Sequence, residues 1–84
     1  MMGNYFDNET FSKIDFAKTK IKKGEYDHCT FLNCNFENVH ASSIQFIECE
    51  FVHCNFSNAI LKDTAFKDVN FVNCKMIGVK FNEL

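Results

Sequence analysis

The sequence contains no proline, tryptophan or arginine, and it has only three glycines. Without arginine, the chain lacks the planar guanidinium group that makes bidentate contacts with phosphates and with guanine. Gly3, Gly24 and Gly78 form no phosphate-binding loop, and no GxSxG motif is present. No apolar run is long enough to cross a bilayer or to form the core of a signal peptide. These absences argue against direct nucleic-acid binding, membrane insertion and two common classes of enzyme.

The chain is short and nearly balanced in charge. Its 84 residues include nine lysines and eleven carboxylates, for a formal net charge of −2, which gives no general attraction to nucleic acid or anionic membranes. We expect one domain over residues 1–84, located in the cytoplasm. Five cysteines are an odd number in a chain without an export signal, so free thiols are expected rather than a disulfide framework.

All eleven phenylalanines are separated by multiples of five residues. In an α-helix, five residues advance by about 500°, so these rings would drift around the axis. In a flat strand, side chains alternate with period two, so an odd spacing would place neighbouring rings on opposite faces. The chain must therefore bend once in every five residues. The phenylalanines are Phe6, Phe11, Phe16, Phe31, Phe36, Phe46, Phe51, Phe56, Phe66, Phe71 and Phe81.

A longer repeat of twenty residues predicts how the bends are organised. CTFLNCNF at 29–36 returns as CEFVHCNF at 49–56, and weaker copies occur at 9–16 and 69–76. Four five-residue segments therefore complete one coil, and successive coils stack in parallel register. The predicted columns of central side chains are Phe6/Tyr26/Phe46/Phe66, Phe11/Phe31/Phe51/Phe71, Phe16/Phe36/Phe56/Met76 and Ile21/Ala41/Leu61/Phe81.

Small or β-branched residues stand two places before nearly every central residue, and we expect them to point inward at the corners. All five cysteines are in this set, and only Asn4 and Glu9 depart from it. The set comprises Ile14, Thr19, Gly24, Cys29, Cys34, Val39, Ile44, Cys49, Cys54, Ala59, Thr64, Val69, Cys74 and Val79.

The segments CNFEN, CNFSN, AILKD and TAFKD resemble the A-(D/N)-L-x-x pattern of the pentapeptide-repeat proteins over roughly residues 4–83. The resemblance implies a right-handed quadrilateral parallel β-helix of about four coils, about 19 Å long at the spacing of adjacent strands. It also implies a function. Well-understood members are similar to B-DNA in width and charge, bind type II topoisomerases such as DNA gyrase, and inhibit the enzyme or protect it from fluoroquinolones.

Sorting the outward residues by column predicts two charged faces. The Phe6 face, named like the others after its first central residue, carries the candidate acidic residues Asp7, Glu25, Asp27, Glu48 and Asp68. The Ile21 face carries Lys20, Lys22, Lys23, Lys62 and Lys80 against Asp63 and Glu83. One interpretation is that both faces are solvated surfaces that keep a small protein soluble. The alternative, for the acidic face, is a partial mimic of DNA.

An outward apolar column is predicted on the Phe11 face. Leu32, Val52 and Val72 each follow a central phenylalanine, and Ile47 and Ile77 occupy equivalent positions on the two flanking faces. These five residues form a candidate interface. The alternative is that they reflect only the preference of strands for β-branched residues.

The sequence offers no catalytic or metal-binding constellation. No CxxC spacing occurs, and His28, His40 and His53 fall at outward positions, away from the cysteines. A core filled with phenylalanine leaves no cleft in which acid and base groups converge. We therefore expect a non-enzyme without a cofactor.

Two functions follow, a non-enzymatic protein-binding or scaffold module and, as the alternative, a DNA-mimicking binder of DNA gyrase or topoisomerase IV. The predicted rod is about half the length usual for the DNA-mimicking members. The chain ends at KMIGVKFNEL without a helix or polar cap, so Phe81 is expected to mediate an end-to-end homodimer, unless the chain is part of a longer rod.

Overall fold

The computed structural model describes residues 3–81, and these residues form ten short strands and no helix. Each strand has two to four residues, because the chain turns a corner soon after every central side chain. The strands are β1 (Asn4–Asp7), β2 (Thr10–Ser12), β3 (Gly24–Asp27), β4 (Thr30–Leu32), β5 (His40–Ala41), β6 (Ile44–Ile47), β7 (Glu50–Val52), β8 (Ile60–Leu61), β9 (Thr64–Lys67) and β10 (Asn70–Val72).

All strand pairs are parallel, and paired residues are twenty positions apart. On the Phe6 face the order is β1-β3-β6-β9, and on the Phe11 face it is β2-β4-β7-β10. The Ile21 face has the two-stranded sheet β5-β8, and the Phe16 face is joined by single bridges from Asp15 through Asn35 and Asn55 to Lys75. The predicted fold class, a right-handed quadrilateral parallel β-helix, is confirmed.

The solenoid is squat. Three full turns separate β1 from β9, and the residues after β9 continue into a fourth coil. The overall extents are 31 × 29 × 26 Å, so the molecule is hardly longer than it is wide. The reason is that a few coils at about 4.8 Å each add less length than the side chains add width.

Aromatic rings fill the axis of the solenoid, as the five-residue period predicts. Within a column the rings stack in near-parallel planes, as in Phe36 on Phe56 at 4.6 Å between centroids and Phe31 on Phe51 at 4.7 Å. Between columns they meet edge to face, for example Phe46 and Phe51 at 5.1 Å. Both arrangements suit the ring quadrupole, and Phe31 and Phe51 are 0% exposed.

The corners are made by residues in the left-handed backbone region. Positive φ recurs every five residues, and seven of the residues that adopt it are Asn or Asp, which tolerate this region better than most side chains. Lys18 and Lys23 would continue the series but do not have positive φ. Next to Lys23, Gly24 has a positive φ of 139° instead. The members of the series are Asn8, Lys13, His28, Asn33, Asn38, Ser43, Glu48, His53, Asn58, Asp63, Asp68, Asn73 and Gly78.

Thr19 departs from the predicted pattern because its side chain is exposed rather than inward. In the next two coils, the N–H groups of Val39 and Ala59 donate to carbonyl oxygens three residues earlier, at 3.1 and 3.0 Å, and both side chains are buried. In the first coil, the N–H of Thr19 donates to the carbonyl of Asp15, four residues earlier, at 2.9 Å. This one-residue shift turns Thr19 outward and leaves residues 17–23 without a strand.

Candidate protein-binding surfaces

A straight column of aliphatic side chains crosses the Phe11 face. Leu32 pairs with Val52, and Val52 pairs with Val72, in the register of β4, β7 and β10. Each side chain points outward because its predecessor, a central phenylalanine, points inward. Leu32 and Val52 are half-buried, whereas Val72 is 37% exposed. We call Leu32, Val52 and Val72 the aliphatic ridge.

Ile47 and Ile77 do not belong to the aliphatic ridge. Ile47 lies in β6 on the Phe6 face, between Asp27 and Lys67 in its column. Ile77 follows the bridge residue Lys75 on the Phe16 face and is 72% exposed. The structure therefore brings together three of the five candidate interface residues and leaves the other two on the flanking faces.

Three of the five candidate acidic residues cluster at one end of the Phe6 face. Asp7 pairs with Asp27 in register, and Glu25 lies two residues before Asp27 on the same strand face. The Tyr5 hydroxyl donates to Oδ2 of Asp27 at 2.8 Å, and this hydrogen bond raises the pKa of Tyr5 to about 12. Oδ1 of Asp27 is buried and has no hydrogen-bond partner within residues 3–81. Burial and the neighbouring Asp27 carboxyl raise the pKa of Glu25 above its ordinary value.

Glu48 and Asp68 lie apart from this cluster, at the corner that follows the strands of the Phe6 face. Both have positive φ, and Oε1 of Glu48 lies 2.7 Å from Nε2 of the exposed His28. Within the strands, the third and fourth coils place Gln45, Ile47, Ala65 and Lys67 on this face. The five carboxylates therefore form a cluster and a separate corner pair rather than one continuous acidic surface.

The cysteines lie inside the corners, as predicted, and each thiol is within hydrogen-bonding distance of main-chain carbonyl oxygens. The thiol of Cys49 donates to the carbonyl of Tyr26 at 3.1 Å, and that of Cys54 donates to Phe31 at 3.3 Å. In both cases the acceptor is the central residue of the previous coil, 23 positions earlier. Burial raises the pKa values of Cys29 and Cys49, which keeps these thiols protonated.

Sequence reasoning treated these cysteines only as small apolar groups and missed their role as donors. Thr64 gives the same contact with its hydroxyl, which donates to the carbonyl of Ala41 at 3.3 Å. The recurrence of Cys and Thr at one position is the sequence signal, because both carry a short donor on a small side chain. Within the described residues, no group of three or more His, Cys, Asp or Glu side chains is arranged to hold a metal ion.

Phe81, the candidate dimer contact, is the last described residue. It is 45% exposed, and its ring meets that of Phe66 edge to face at 5.9 Å. Glu83, predicted on the Ile21 face, lies outside the described residues.

The protein is a four-sided β-solenoid repeat protein. Its coils stack in parallel, aromatic rings fill its axis, and its candidate binding surfaces lie on flat outer faces. A family model described as "Pentapeptide repeat region" matches residues 25–84. The chain belongs to the pentapeptide-repeat family, as its sequence pattern implied. No curated protein matches the sequence significantly.

Solved structures give the same fold. Full-length QnrB1, a plasmid-mediated fluoroquinolone resistance protein, is 28% identical with a TM-score of 0.67, over 79% of this chain and 34% of QnrB1. A trypsin-treated variant of QnrB1 is 23% identical with a TM-score of 0.66, over 94% of this chain and 48% of the variant. The chain thus spans between a third and a half of these structures.

Proposed function

We propose that this protein is a non-enzymatic protein-binding or scaffold module that recognises a partner through the Phe11 face. The observation that carries the proposal is the aliphatic ridge, in which strand pairing holds three outward apolar side chains in one line. A preformed column of this kind presents apolar area to a partner without an entropic cost of ordering. Repeat solenoids commonly bind partners through such extended surfaces.

The test is capture of partners from the native cytoplasm by tagged protein carrying a substitution in the ridge. Val52→Asp places a charge at the centre of the ridge and is expected to abolish capture. Val52→Ile keeps the β-branched apolar shape and is expected to retain it. Circular dichroism checks that both variants stay folded, and the proposal fails if Val52→Asp captures the same partners as the unchanged protein.

The second candidate function is a DNA-mimicking binder of DNA gyrase or topoisomerase IV. The likeness to QnrB1 at 28% identity favours it, and so does the acidic cluster of Asp7, Glu25 and Asp27. The short solenoid and the presence of only three carboxylates in that cluster weigh against it, because duplex DNA carries about one phosphate per 1.7 Å of its length.

This candidate is tested in a gyrase supercoiling assay with and without a fluoroquinolone. Micromolar protein is expected to inhibit supercoiling or to protect it from the drug, and the double variant Glu25→Gln, Asp27→Asn is expected to lose the effect. If neither inhibition nor protection occurs, gyrase is removed as a target and the scaffold proposal stands.

We also propose that two copies associate end to end through the coil that contains Phe81. Its exposed ring and the half-buried Phe66, Phe71 and Met76 offer the apolar contact. Light scattering should give a dimer mass for the unchanged protein and a monomer mass for Phe81→Glu. A monomer mass for the unchanged protein at high concentration refutes the homodimer.

A further inference from the structure

A groove lies between the first two coils, where the Phe16 face turns into the Ile21 face. It has a volume of about 520 Å³. It exists because residues 17–23 form no strand, so the first coil does not close against β5. Neither the aliphatic ridge nor the acidic cluster contributes to it.

The main chain of β5 is unpaired on the side that faces this groove. On the same face, the later coils are joined by main-chain hydrogen bonds. The N–H of Ile60 donates to the carbonyl of Val39 at 2.8 Å, and the N–H of Lys80 donates to the carbonyl of Ala59 at 2.9 Å. Within residues 3–81, no equivalent bond joins His40 to the first coil. Because β5 pairs with β8 on its other side, it presents an open strand edge to the groove.

The floor of the groove is formed by the most exposed side chains of the hydrophobic core. Phe16, Val39, Ala41 and Ile21 are 9%, 8%, 8% and 6% exposed, whereas no other buried apolar side chain in residues 3–81 exceeds 3%. All four line the groove. Ala41 is the one small residue among the central positions, so it leaves space that an apolar side chain from a ligand can fill.

The walls of the groove are basic. Lys18, Lys20 and Lys23 line it together with His40 and, as the one carboxylate among the described lining residues, Glu37. In the part of the chain that the structure describes, none of these lysines makes an ion pair. An uncompensated cluster of three ammonium groups on a chain of net charge −2 marks a local preference for anions.

We propose that this groove binds an acidic, extended segment of a partner protein, with its carboxylates on the lysines, its main chain along β5 and one apolar side chain over Ala41. Extended peptides pair with open strand edges in this way, and side-chain pockets then supply specificity. A free phosphate would use neither the apolar floor nor the strand edge. A nucleic acid is disfavoured by the absence of arginine and by the net negative charge.

The test is amide NMR of the labelled protein titrated with a capped peptide of alternating glutamate and leucine. Saturable shifts are expected at residues 17–23 and 38–42. Lys20→Glu should weaken binding about tenfold, the equivalent of about 1.4 kcal/mol. Lys67→Glu makes the same charge change on the Phe6 face and should leave binding within about twofold.

Three results would overturn the proposal. They are shifts confined to another face, equal binding of a peptide of alternating lysine and leucine, and equal effects of inorganic phosphate on the same amides. As a second check, Ala41→Leu fills the floor and should weaken the peptide while leaving phosphate shifts unchanged. Val52→Asp, which tests the aliphatic ridge, should bind the peptide normally, so either inference can fail while the other stands.

Discussion

Cys34 and Cys54 stand at the same corner of successive coils, where the Cys34 thiol donates to the carbonyl of Phe11 at 3.5 Å and the Cys54 thiol to that of Phe31 at 3.3 Å. The interaction between the two neighbouring sulfur atoms separates their acidities. The interaction lowers the pKa of Cys34 to about 7 and raises that of Cys54. A thiol with a lowered pKa is usually reactive. Here both side chains are only 2% exposed, so a reagent reaches them only when the coil opens.

The thiols should therefore differ in reactivity according to burial rather than acidity. Four of the five cysteines are buried, and Cys74 is partly exposed. With an aromatic disulfide reagent at neutral pH, we expect one fast thiol and four slow ones, and Cys74→Ala should remove the fast phase. In denaturant all five should react at once. Five fast thiols in the native protein would contradict the packing described above.

Alkaline pH should destabilise the protein through Tyr26. Its hydroxyl donates to the carbonyl of Lys22 at 2.6 Å, and burial raises its pKa from 10.0 to about 12. A raised pKa favours the neutral phenol in the folded state, so this contribution is complete below pH 10 and is lost as pH rises towards 12.

Denaturant unfolding as a function of pH measures this effect. Tyr26→Phe should flatten the decline above pH 10, at the cost of about 1 kcal/mol for the lost hydrogen bond at neutral pH. Tyr5→Phe removes the other tyrosine, whose pKa is also raised to about 12 by its hydrogen bond to Asp27, so comparing the two single variants with the double variant separates the two contributions. An unchanged decline in Tyr26→Phe would refute the assignment.

Glycine should have opposite effects at two neighbouring corners. Lys13 has φ of 57°, whereas Lys18, five residues later, is not among the residues with positive φ. Lys13→Gly relieves left-handed strain and should stabilise the fold by about 0.5–1 kcal/mol. Lys18→Gly adds only backbone freedom to the unfolded chain and should destabilise by a similar amount. Thermal unfolding of both variants tests this, and equal signs would contradict the corner assignment.

Gly24 should tolerate no side chain. A Cβ atom there would lie 2.1 Å from the carbonyl oxygen of Asn4, and φ is 139°. Gly24→Ala must therefore push the first coil away, and we expect a loss of more than about 2 kcal/mol. In Gly78→Ala the nearest atom is Oδ1 of Asn58, the end of a movable side chain, so the loss should be smaller. Equal losses in urea unfolding would count against this close approach of the coils.

Removing a ring from the aromatic column should destabilise the protein in proportion to how deeply that ring is buried. Phe51 is fully buried and stacks on Phe31 at 4.7 Å and on Phe71 at 5.3 Å. Phe51→Ala should cost about 3–5 kcal/mol. Phe71 is only half-buried, so Phe71→Ala should cost clearly less. Equilibrium unfolding of both variants decides the point, and a similar cost would mean that the fourth coil packs as tightly as the third.

The ring columns were predictable from the sequence, whereas the division of the acidic residues between a strand face and a corner was not. The spacing of Phe31 and Phe51 specifies their stacking, since a side chain every five residues can return to one axis only if the chain coils. The five-residue period also predicts that Asp7 and Glu48 lie on one face. In the structure, however, Glu48 lies at the corner that follows that face, beside His28. Which face an outward residue joins depends on the turn between two strands, and the periodicity does not specify that turn.

The sequence by itself determined the four-sided coil, its register and its aromatic axis, because the positions of apolar residues every five and every twenty places admit no flat sheet and no helix. The tertiary structure alone decided where this regularity stops. Thr19 donates to Asp15 instead of to the next carbonyl, and this single choice of acceptor leaves the edge of β5 that faces the first coil unpaired and opens the groove above Ala41. The packing of the whole coil determines whether Thr19 donates to the carbonyl oxygen of Asp15 or to that of Phe16. For this reason no local sequence pattern predicts the choice.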